Sequence, residues 1–182
     1  MERRNFLKTA AGVLGALALP AWLVERNRAQ ARGIDVAQDR AQQIPKLEKS
    51  EEEWRRILGE EEFEILREAG TEPAGASPLN REERAGTFIC AGCFLPLFSS
   101  EAKFESGTGW PSFYEPIDPA HIETKRDFKL VIPRTEYHCA RCGGHQGHVF
   151  DDGPEPTGKR YCNNGLALDF VPEGEEPPEL RS

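Results

Sequence analysis

Apolar residues recur at helical spacing in two short stretches between residues 50 and 70, whereas later in the chain they form short or alternating runs. The first helix begins with a capping box, in which Ser50 is the N-cap and Glu53 follows three residues later. We expect Gly59 to end this helix in the position after the C-cap that glycine favours. A second helix, from about residue 61 to residue 69, is expected to end at Gly70. Each helix has one apolar face, which predicts peripheral packing on a main body.

From Thr87 onward the apolar residues form short or alternating runs, which are typical of β-strands. Glycine, proline and aspartate turns separate the runs, and no helical pattern lies between them. The predicted strands are Thr87–Cys90, Leu95–Ser99, Phe128–Pro133, Thr135–Cys139, His148–Phe150, Arg160–Asn163 and Leu166–Val171. Many short strands without intervening helices predict a mainly β fold, either an antiparallel sandwich or a small barrel.

The first 31 residues have the pattern of an export signal. Arg3 and Arg4 precede an apolar run from Thr9 to Val24, and Ala29-Gln30-Ala31 has the small-residue spacing that signal peptidase reads. The paired arginines resemble those of twin-arginine signals. The apolar run is short for a membrane span and contains glycine and proline, which favours a removable signal over an uncleaved membrane anchor. We therefore expect a periplasmic or otherwise extracytoplasmic location, with membrane tethering as the alternative.

The rest of the chain divides into a polar tether, residues 32–49, and one domain, residues 50–182. The whole chain has a formal net charge of −8, and removal of the basic signal would make it more acidic still. A surface this negative repels nucleic acids and anionic membranes, so we expect neither as a partner. One domain of this length can bury its own core, and we expect a monomer.

Four of the five cysteines form two C-x-x-C pairs, which are Cys90 with Cys93 and Cys139 with Cys142. Two such pairs can give the tetrahedral four-thiolate site of a structural zinc ion. The alternatives are redox-active disulfides, which predict a helix beginning at the motif, and two structural disulfides. Iron could also occupy a four-thiolate site. The strand-and-turn pattern around both pairs favours zinc.

Cys162 is the one cysteine that this assignment leaves unpaired, and it lies on a predicted strand. Alternate side chains on a strand share a face, so Arg160, Cys162 and Asn164 point one way and Tyr161 and Asn163 the other. Positive charge beside a thiol favours the thiolate, the nucleophilic form. The pattern therefore indicates a reactive cysteine, whereas a buried structural cysteine is the alternative.

Two histidines and one tryptophan are candidates to lie beside Cys162. His145 and His148 follow the second cysteine pair closely, so a bound metal would hold their segment in place. A histidine near a thiol can act as a general acid at neutral pH, although either could instead be structural or a metal ligand. Trp110 lies in a glycine-rich segment, where it could pack in the core or form an aromatic surface for a methyl or sulfur group.

Taken together, these motifs resemble the methionine-R-sulfoxide reductase family of the MsrB type, from about Ser50 to Val171. The motifs that carry the resemblance are Glu53-Trp54, Gly70-Thr71-Glu72, the two C-x-x-C pairs, the segment from Ser106 to Phe113, the segment from His145 to Pro154, and the segment from Arg160 to Asn164. The resemblance implies a fold of two small antiparallel sheets with short peripheral helices and a structural zinc site.

The resemblance also implies a role for each candidate residue. Cys162 matches the nucleophile, and Arg160 matches the arginine beside it. His145, His148 and Asn164 match residues that hold the substrate and protonate its oxygen, and Trp110 matches the aromatic residue that packs on the substrate methyl group. The implied partners are oxidised proteins or peptides bearing methionine-R-sulfoxide and a thioredoxin-like or other external thiol reductant.

Two positions depart from the family pattern. Many members carry a second cysteine where this chain has Thr108, and no other cysteine is free once the metal is assigned. We therefore predict a single-cysteine cycle, in which an external thiol restores Cys162. The other departure is Gly165-Leu166, where members often have Ser-Ala. The alternative function is a non-catalytic zinc-ribbon binding module, which would not require the residues around Cys162.

Overall fold

The computed structural model describes residues 44–128 and 133–182, so the predicted signal and most of the tether lie outside the described residues. Two α-helices come first, α1 (Glu51–Ile57) and α2 (Glu60–Glu68). The strands are β1 (Gly86–Cys90), β2 (Pro96–Ser99), β3 (Lys103–Phe104), β4 (Ser112–Phe113), β5 (Ile122–Asp127), β6 (Arg134–Cys139), β7 (His145–Phe150), β8 (Arg160–Asn163) and β9 (Leu168–Pro172). Neither helix reaches the length or apolar character that a membrane span requires.

The strands form two antiparallel sheets, as predicted from the resemblance. The smaller sheet has three strands in the order β2-β1-β9, and the larger has six in the order β3-β4-β8-β7-β6-β5. Every pairing is antiparallel. The larger sheet places β8 between β4 and β7, so Cys162 lies on an interior strand whose position both neighbours fix.

The helices form where the sequence predicts them, but they end differently. The capping box is present, because the Ser50 side chain accepts from the Glu53 amide and the Glu53 side chain accepts from the Ser50 amide. Gly59 is not in a left-handed position after α1; its φ is −64° and it is the N-cap of α2. Ala69, and not Gly70, takes the left-handed conformation that ends α2, with φ of 54°. The Gly70 amide then donates to the Glu64 carbonyl at 3.0 Å and closes the helix.

The sequence prediction omits one strand and leaves another untested. Phe128 and Pro133, the ends of the strand predicted at 128–133, lie outside strands, and the four residues between them are not described. The omitted strand is β5, which ends at Asp127 and forms one edge of the larger sheet. Its sequence, Ile122-Glu-Thr-Lys-Arg-Asp, is almost entirely polar, as suits an exposed edge strand, and therefore shows no apolar alternation. The two-residue strands β3 and β4 are also absent from the sequence prediction.

An aromatic core joins the two sheets. The rings of Phe98 and Phe113 stack with centroids 4.3 Å apart, and Phe88 packs edge-on against Phe113 at 4.9 Å. Tyr137 is fully buried and its ring lies 5.4 Å from that of Tyr161. Tyr161 therefore points into the core from β8, and the alternation predicted from the sequence places Cys162 on the opposite face.

Candidate active site and metal centre

The four paired cysteines converge at one end of the core. Cys90 ends β1 and Cys139 ends β6, and each is followed by a tight turn that carries the second cysteine of its pair. The turns are closed by amides that donate back to the first cysteine carbonyl, Phe94 to Cys90 at 2.7 Å and Gly143 to Cys139 at 2.9 Å. All four sulfur atoms are buried and lie within 4.8 Å of one another.

The geometry of the cluster fits a tetrahedral metal ion. A Zn–S bond of about 2.3 Å requires sulfurs about 3.8 Å apart. The observed separations are 3.7 Å between Cys90 and Cys142 and 3.5 Å between Cys93 and Cys139. These distances are far longer than a disulfide bond, and the motifs lie in turns after strands and not at the start of a helix. The cluster therefore supports a metal centre over either disulfide interpretation.

Cys162 lies in a small pocket between two strands. In the sheet register its direct partners are His148 on β7 and Ser112 on β4. The pocket has a volume of about 130 Å³. It is lined by Thr71, Trp110, Arg134, Gly147, His148, Phe150, Cys162, Asn163 and Asn164. We call this the Cys162 pocket, and it brings together four of the residues predicted from the sequence, Cys162, His148, Asn164 and Trp110.

Glu72 holds Trp110 and Asn164 in place. Its backbone carbonyl accepts from the indole Nε1–H of Trp110 at 3.1 Å, and its amide donates to Oδ1 of Asn164 at 3.2 Å. The Asn164 side chain is also tied to β7, because its Nδ2 donates to the Gln146 carbonyl at 3.2 Å. The aromatic surface and the amide that face Cys162 are thus fixed by backbone groups.

Arg160 is near Cys162 but does not line the pocket. Its guanidinium makes a bidentate pair with Asp152, with both N–O distances 2.8 Å, and stacks on Phe150 with its Cζ 4.3 Å from the ring centroid. Its charge lies close enough to Cys162 to lower the pKa of the thiol. Arg160 therefore acts on the thiol as a rigidly held positive charge.

The electrostatics of Cys162 differ from the sequence expectation. Burial raises the pKa of the Cys162 thiol above its ordinary value, and the Arg160 charge and the Thr108 hydrogen bond lower it by less than burial raises it. Thr108 belongs to a hydroxyl network in which Ser106 Oγ lies 2.8 Å from both Thr108 Oγ1 and Ser112 Oγ. The resting cysteine is therefore mainly a neutral thiol, with two groups positioned to stabilise the thiolate.

The two histidines occupy different positions. His148 lines the pocket, and its Nε2–H donates to Asp127 at 2.8 Å; the same carboxylate oxygen accepts from Arg134 at 2.6 Å. His145 is 4% exposed, lies outside the pocket lining, and its ring centroid is 5.6 Å from that of His148.

His145 is held by a carboxylate of its own. Its Nδ1–H donates to Glu136 at 2.9 Å. Burial lowers the pKa of His145, which keeps the ring neutral. Burial acts to raise the pKa of Glu136, but hydrogen bonds from His145 and Lys125 outweigh it and the net shift is downward. Sequence reasoning places His145 among the catalytic residues; in the structure its ring lies beside that of His148 and outside the lining of the Cys162 pocket.

Four residues of the site were not identified from the sequence: Glu72, Asp127, Arg134 and Glu136. Glu72 belongs to a motif that carries the family resemblance, but nothing local to it indicates that it contacts Trp110. Asp127, Arg134 and Glu136 lie on β5 and β6, and their contacts follow from cross-strand pairing that cannot be inferred without β5, which the sequence prediction omits.

Comparison with known proteins agrees with this geometry. The SelR domain family matches residues 58–172. The chain is 53% identical over 130 residues to the peptide methionine sulfoxide reductase MsrB of Leifsonia xyli subsp. xyli, covering 71% of this chain and 94% of the relative. It is 54% identical over 130 residues to the MsrB of Pseudomonas putida, covering 71% and 97%, and 50% identical over 129 residues to that of Methanosarcina barkeri, covering 71% and 91%. The chain therefore belongs to the SelR domain family, within the group of MsrB proteins.

Proposed function

We propose that this protein reduces methionine-R-sulfoxide, in proteins or as the free amino acid, to methionine by means of Cys162 and an external thiol. The observation that carries the proposal is the pairing of Cys162 with His148 in a pocket bounded by Trp110. The nucleophile, a proton donor and an apolar surface for a thioether methyl group lie within one small cavity. The names of the relatives support the reaction class.

The sulfoxide sulfur carries a methyl group and an oxygen, and each of these would contact a different part of the pocket. Its methyl group packs on the Trp110 ring, since sulfur and methyl groups contact aromatic faces favourably. Its oxygen accepts a hydrogen bond from the Asn164 amide and, once Nδ1 of His148 has taken the proton of the Cys162 thiol, from that nitrogen as well, since the Nε2–H of His148 is held by Asp127. The tetrahedral sulfur then faces Cys162 in one orientation, which accounts for selectivity between the two sulfoxide epimers.

The first half of the reaction transfers the oxygen. The Cys162 thiol passes its proton to His148, and the Cys162 sulfur bonds to the sulfoxide sulfur while the histidine protonates the oxygen. The hydroxyl then moves from the substrate sulfur to the Cys162 sulfur as the bond between the two sulfurs breaks, so that methionine departs and Cys162 is left as a sulfenic acid. Cysteine is oxidised by two electrons and the sulfoxide is reduced by two. The proton that the Cys162 thiol loses returns through the histidine, so no net proton is consumed. The raised pKa of Cys162 is compatible with this order of steps, because substrate binding brings the sulfoxide, the thiol and His148 together.

The second half restores the thiol. An external thiol attacks the sulfenic acid, releasing water and leaving a mixed disulfide, and a second thiol reduces that disulfide. No second cysteine of this chain can take part among the described residues, because the other four form the buried cluster and Thr108 contacts Cys162 instead. A thioredoxin-like protein or a small thiol is therefore the proposed reductant.

The ion that the cysteine cluster would hold is proposed to be zinc. Four thiolates at these separations suit a tetrahedral ion without redox chemistry, and bound zinc would link the end of β1 to the end of β6. The chain's own residues, and not this ion, perform the reaction. The role proposed for the metal is to hold the two strand ends together.

Export remains a proposal that rests on the sequence. Residues 1–31 carry the paired arginines, the apolar run and the small-residue cleavage pattern, and they lie outside the described residues. Cell fractionation and N-terminal sequencing of the mature protein test it. A protein that remains cytoplasmic with its N-terminus intact would contradict export.

The function is tested by turnover of the two resolved sulfoxide epimers with dithiothreitol, alongside zinc quantification. We expect reduction of the R epimer alone, about one zinc per chain, and loss of turnover in Cys162→Ser with the fold retained. A binding module would keep its function in that variant. After one turnover without reductant, intact mass with dimedone should show one adduct on Cys162. An intramolecular disulfide would contradict the single-cysteine cycle.

A further inference from the structure

A second and larger concavity lies beside the Cys162 pocket. It has a volume of about 690 Å³. It is lined by one side of α2, by the segment that follows it, and by the start of β9: Glu61, Glu62, Glu64, Ile65, Thr71, Glu72, Pro73, Ala76, Ser77, Pro78, Leu79, Gly165, Leu166, Leu168, Asp169 and Phe170. We call it the acidic groove, and nothing in the proposed chemistry uses it.

The acidic groove adjoins the Cys162 pocket. Thr71 lines both cavities. Asn164 lines the pocket, and the next two residues, Gly165 and Leu166, line the groove. Glu72 also belongs to the groove, while its carbonyl holds the indole of Trp110. The residues that flank a side chain bound in the Cys162 pocket would therefore lie close to the groove.

The sizes of the two cavities indicate different roles. The Cys162 pocket, at about 130 Å³, is smaller than the range of about 300–1,000 Å³ typical of sites that enclose a whole small ligand. It can take the end of one side chain, so the backbone of a peptide and its neighbouring residues must lie outside. The groove, at about 690 Å³, is large enough to receive them.

The chemistry of the groove selects among peptides. Its base is apolar, with Ile65 and Leu168 almost fully buried and Leu166, Leu79 and Phe170 partly exposed. Its lining includes carboxylates and, among the residues that the structure describes there, no lysine or arginine. An apolar base beside negative side chains is complementary to a segment that mixes apolar and basic residues.

The glutamates of α2 differ in their ion pairs. Glu60 and Glu68 share Arg55, at 3.0 and 3.1 Å. Glu61, Glu62 and Glu64 line the groove, and none of them forms an ion pair within the described part of the chain. Three carboxylates without a basic partner are therefore available to a ligand in the groove.

We propose that the acidic groove binds the residues flanking an oxidised methionine in a protein substrate, with a preference for lysine or arginine among apolar neighbours. This rests on the proposed function, because the occupant is the substrate of Cys162. Leu166, the position at which the chain departs from the family pattern, lies in the groove and not in the pocket. Its larger side chain gives apolar flanking residues a surface to pack on.

The test compares three substrates of the full-length protein: a peptide with methionine-R-sulfoxide between lysine and leucine residues, the same peptide with glutamate for lysine, and free methionine-R-sulfoxide. We expect kcat/KM for the lysine peptide to exceed that for the glutamate peptide by about tenfold at low salt, and the ratio to fall as salt rises. Three partly exposed charge pairs at 0.2–1 kcal/mol each correspond to a factor of about ten.

Two variants locate the effect. The triple replacement of the groove carboxylates, Glu61→Gln, Glu62→Gln and Glu64→Gln, should abolish the preference for the lysine peptide while leaving turnover of the free amino acid unchanged. The matched control makes the same change of charge at exposed glutamates of the C-terminal segment, Glu175→Gln, Glu176→Gln and Glu179→Gln. Leu166→Ala should raise KM about threefold or more for both peptides and leave the free substrate unaffected.

The possible outcomes distinguish failure of the groove proposal from failure of the proposed function. Equal kcat/KM for the two peptides, or an equal loss of preference in the control triple variant, overturns the groove proposal. Turnover of the free amino acid in the same experiment shows that the proposed reaction still holds. Absence of turnover with all three substrates contradicts the proposed function itself. Melting temperatures of each variant exclude loss of the fold as the cause.

Discussion

His148 lies directly opposite Cys162 on the adjacent antiparallel strand. Directly paired residues share a face, with Cβ atoms about 4.5–5.5 Å apart, so the register of β7 and β8 alone brings the histidine to the thiol. The neighbouring residue makes the close pairing possible. A Cβ at Gly147 would lie 1.9 Å from the Cys162 carbonyl oxygen, so only glycine fits there. The hydrogen bond to Asp127 then fixes the direction of the imidazole.

Replacement of His148 tests this pairing. His148→Gln should lower kcat by about 10²–10⁴-fold, the usual contribution of a general acid, because glutamine cannot deliver a proton to the oxygen. His145→Gln, which removes a ring that does not line the pocket, should lower kcat much less. Turnover of the R epimer under saturating substrate measures both. An equal loss in the two variants would contradict the assignment of His148 as the acid.

Glu72 is the second position at which one residue organises several parts of the site. Glu72 is 4% exposed, and its carboxylate accepts hydrogen bonds from the amides of Gly165 at 2.6 Å and Leu166 at 3.1 Å. Glu72→Gln replaces one acceptor with a donor, and leaves a buried amide without a partner at a cost of about 1–3 kcal/mol. Because the Glu72 backbone holds Trp110 and Asn164, we also expect a higher KM for sulfoxide.

The control for Glu72 is Glu68→Gln, which removes one exposed partner of Arg55. Exposed ion pairs contribute about 0–1 kcal/mol, so the stability of this variant should stay near that of the unmodified protein. Denaturant unfolding and the KM for methionine-R-sulfoxide measure the two effects. A destabilised Glu72→Gln protein with normal KM would mean that Glu72 supports the fold without positioning the substrate residues.

The features that the sequence predicts correctly are local ones. The capping box, the two cysteine pairs and the alternating faces of β8 each depend on residues within a few positions of one another. The partners of the histidines could not be predicted in this way, because Asp127 and Glu136 reach them across strands. β5 is polar along its length, and without its position no pattern connects Asp127 with His148.

The state of Cys162 illustrates the same limit. The Arg160 charge is visible in the sequence, and it does lower the pKa of the thiol. Burial, which raises the pKa by more, depends on how β4, β7 and the segment before Trp110 pack around β8, and this is a property of the tertiary structure alone. The sequence therefore identifies Arg160 correctly as a charge that lowers the pKa of Cys162, but it does not reveal that the net pKa shift is upward.

A buried glutamine connects the metal cluster to the catalytic strand. Gln146 is fully buried; its Nε2 donates to the Cys90 sulfur at 3.4 Å, and its Oε1 accepts from Asn163 at 3.5 Å. Its carbonyl accepts from the Asn164 amide at 2.8 Å. Asn163 in turn accepts from the Tyr137 hydroxyl at 2.5 Å. A donor to a metal-bound thiolate stabilises its negative charge, as partners of metal ligands generally do.

Gln146→Met, which keeps the length of the side chain and removes the donor, should weaken metal binding by about 10–100-fold. Gln146→Glu should weaken it further, because a carboxylate would face the thiolate. The rate of zinc transfer to a competing chelator measures this without reference to activity. Identical rates in both variants and the unmodified protein would show that the Gln146 contact does not stabilise the bound metal.

The pH dependence of Cys162 alkylation tests the electrostatics of the thiol directly. Burial raises its pKa by more than Arg160 lowers it, so the thiolate, which is the reactive form, accumulates at higher pH than in an ordinary cysteine. Arg160→Met removes the lowering charge and should move the midpoint to still higher pH. At any pH below the midpoint, alkylation then slows about tenfold for each unit of upward shift.

The matched control is Lys159→Met, since Lys159 is an exposed neighbour that pairs with Asp151 and is not among the groups that shift the thiol. Thr108→Val should shift the midpoint upward as well, because it removes the hydrogen bond that lowers the Cys162 pKa. Iodoacetamide rates across the pH range in which each variant stays folded give the midpoints. A midpoint below that of an ordinary thiol, or equal shifts in Arg160→Met and Lys159→Met, would contradict the balance of burial and local charge.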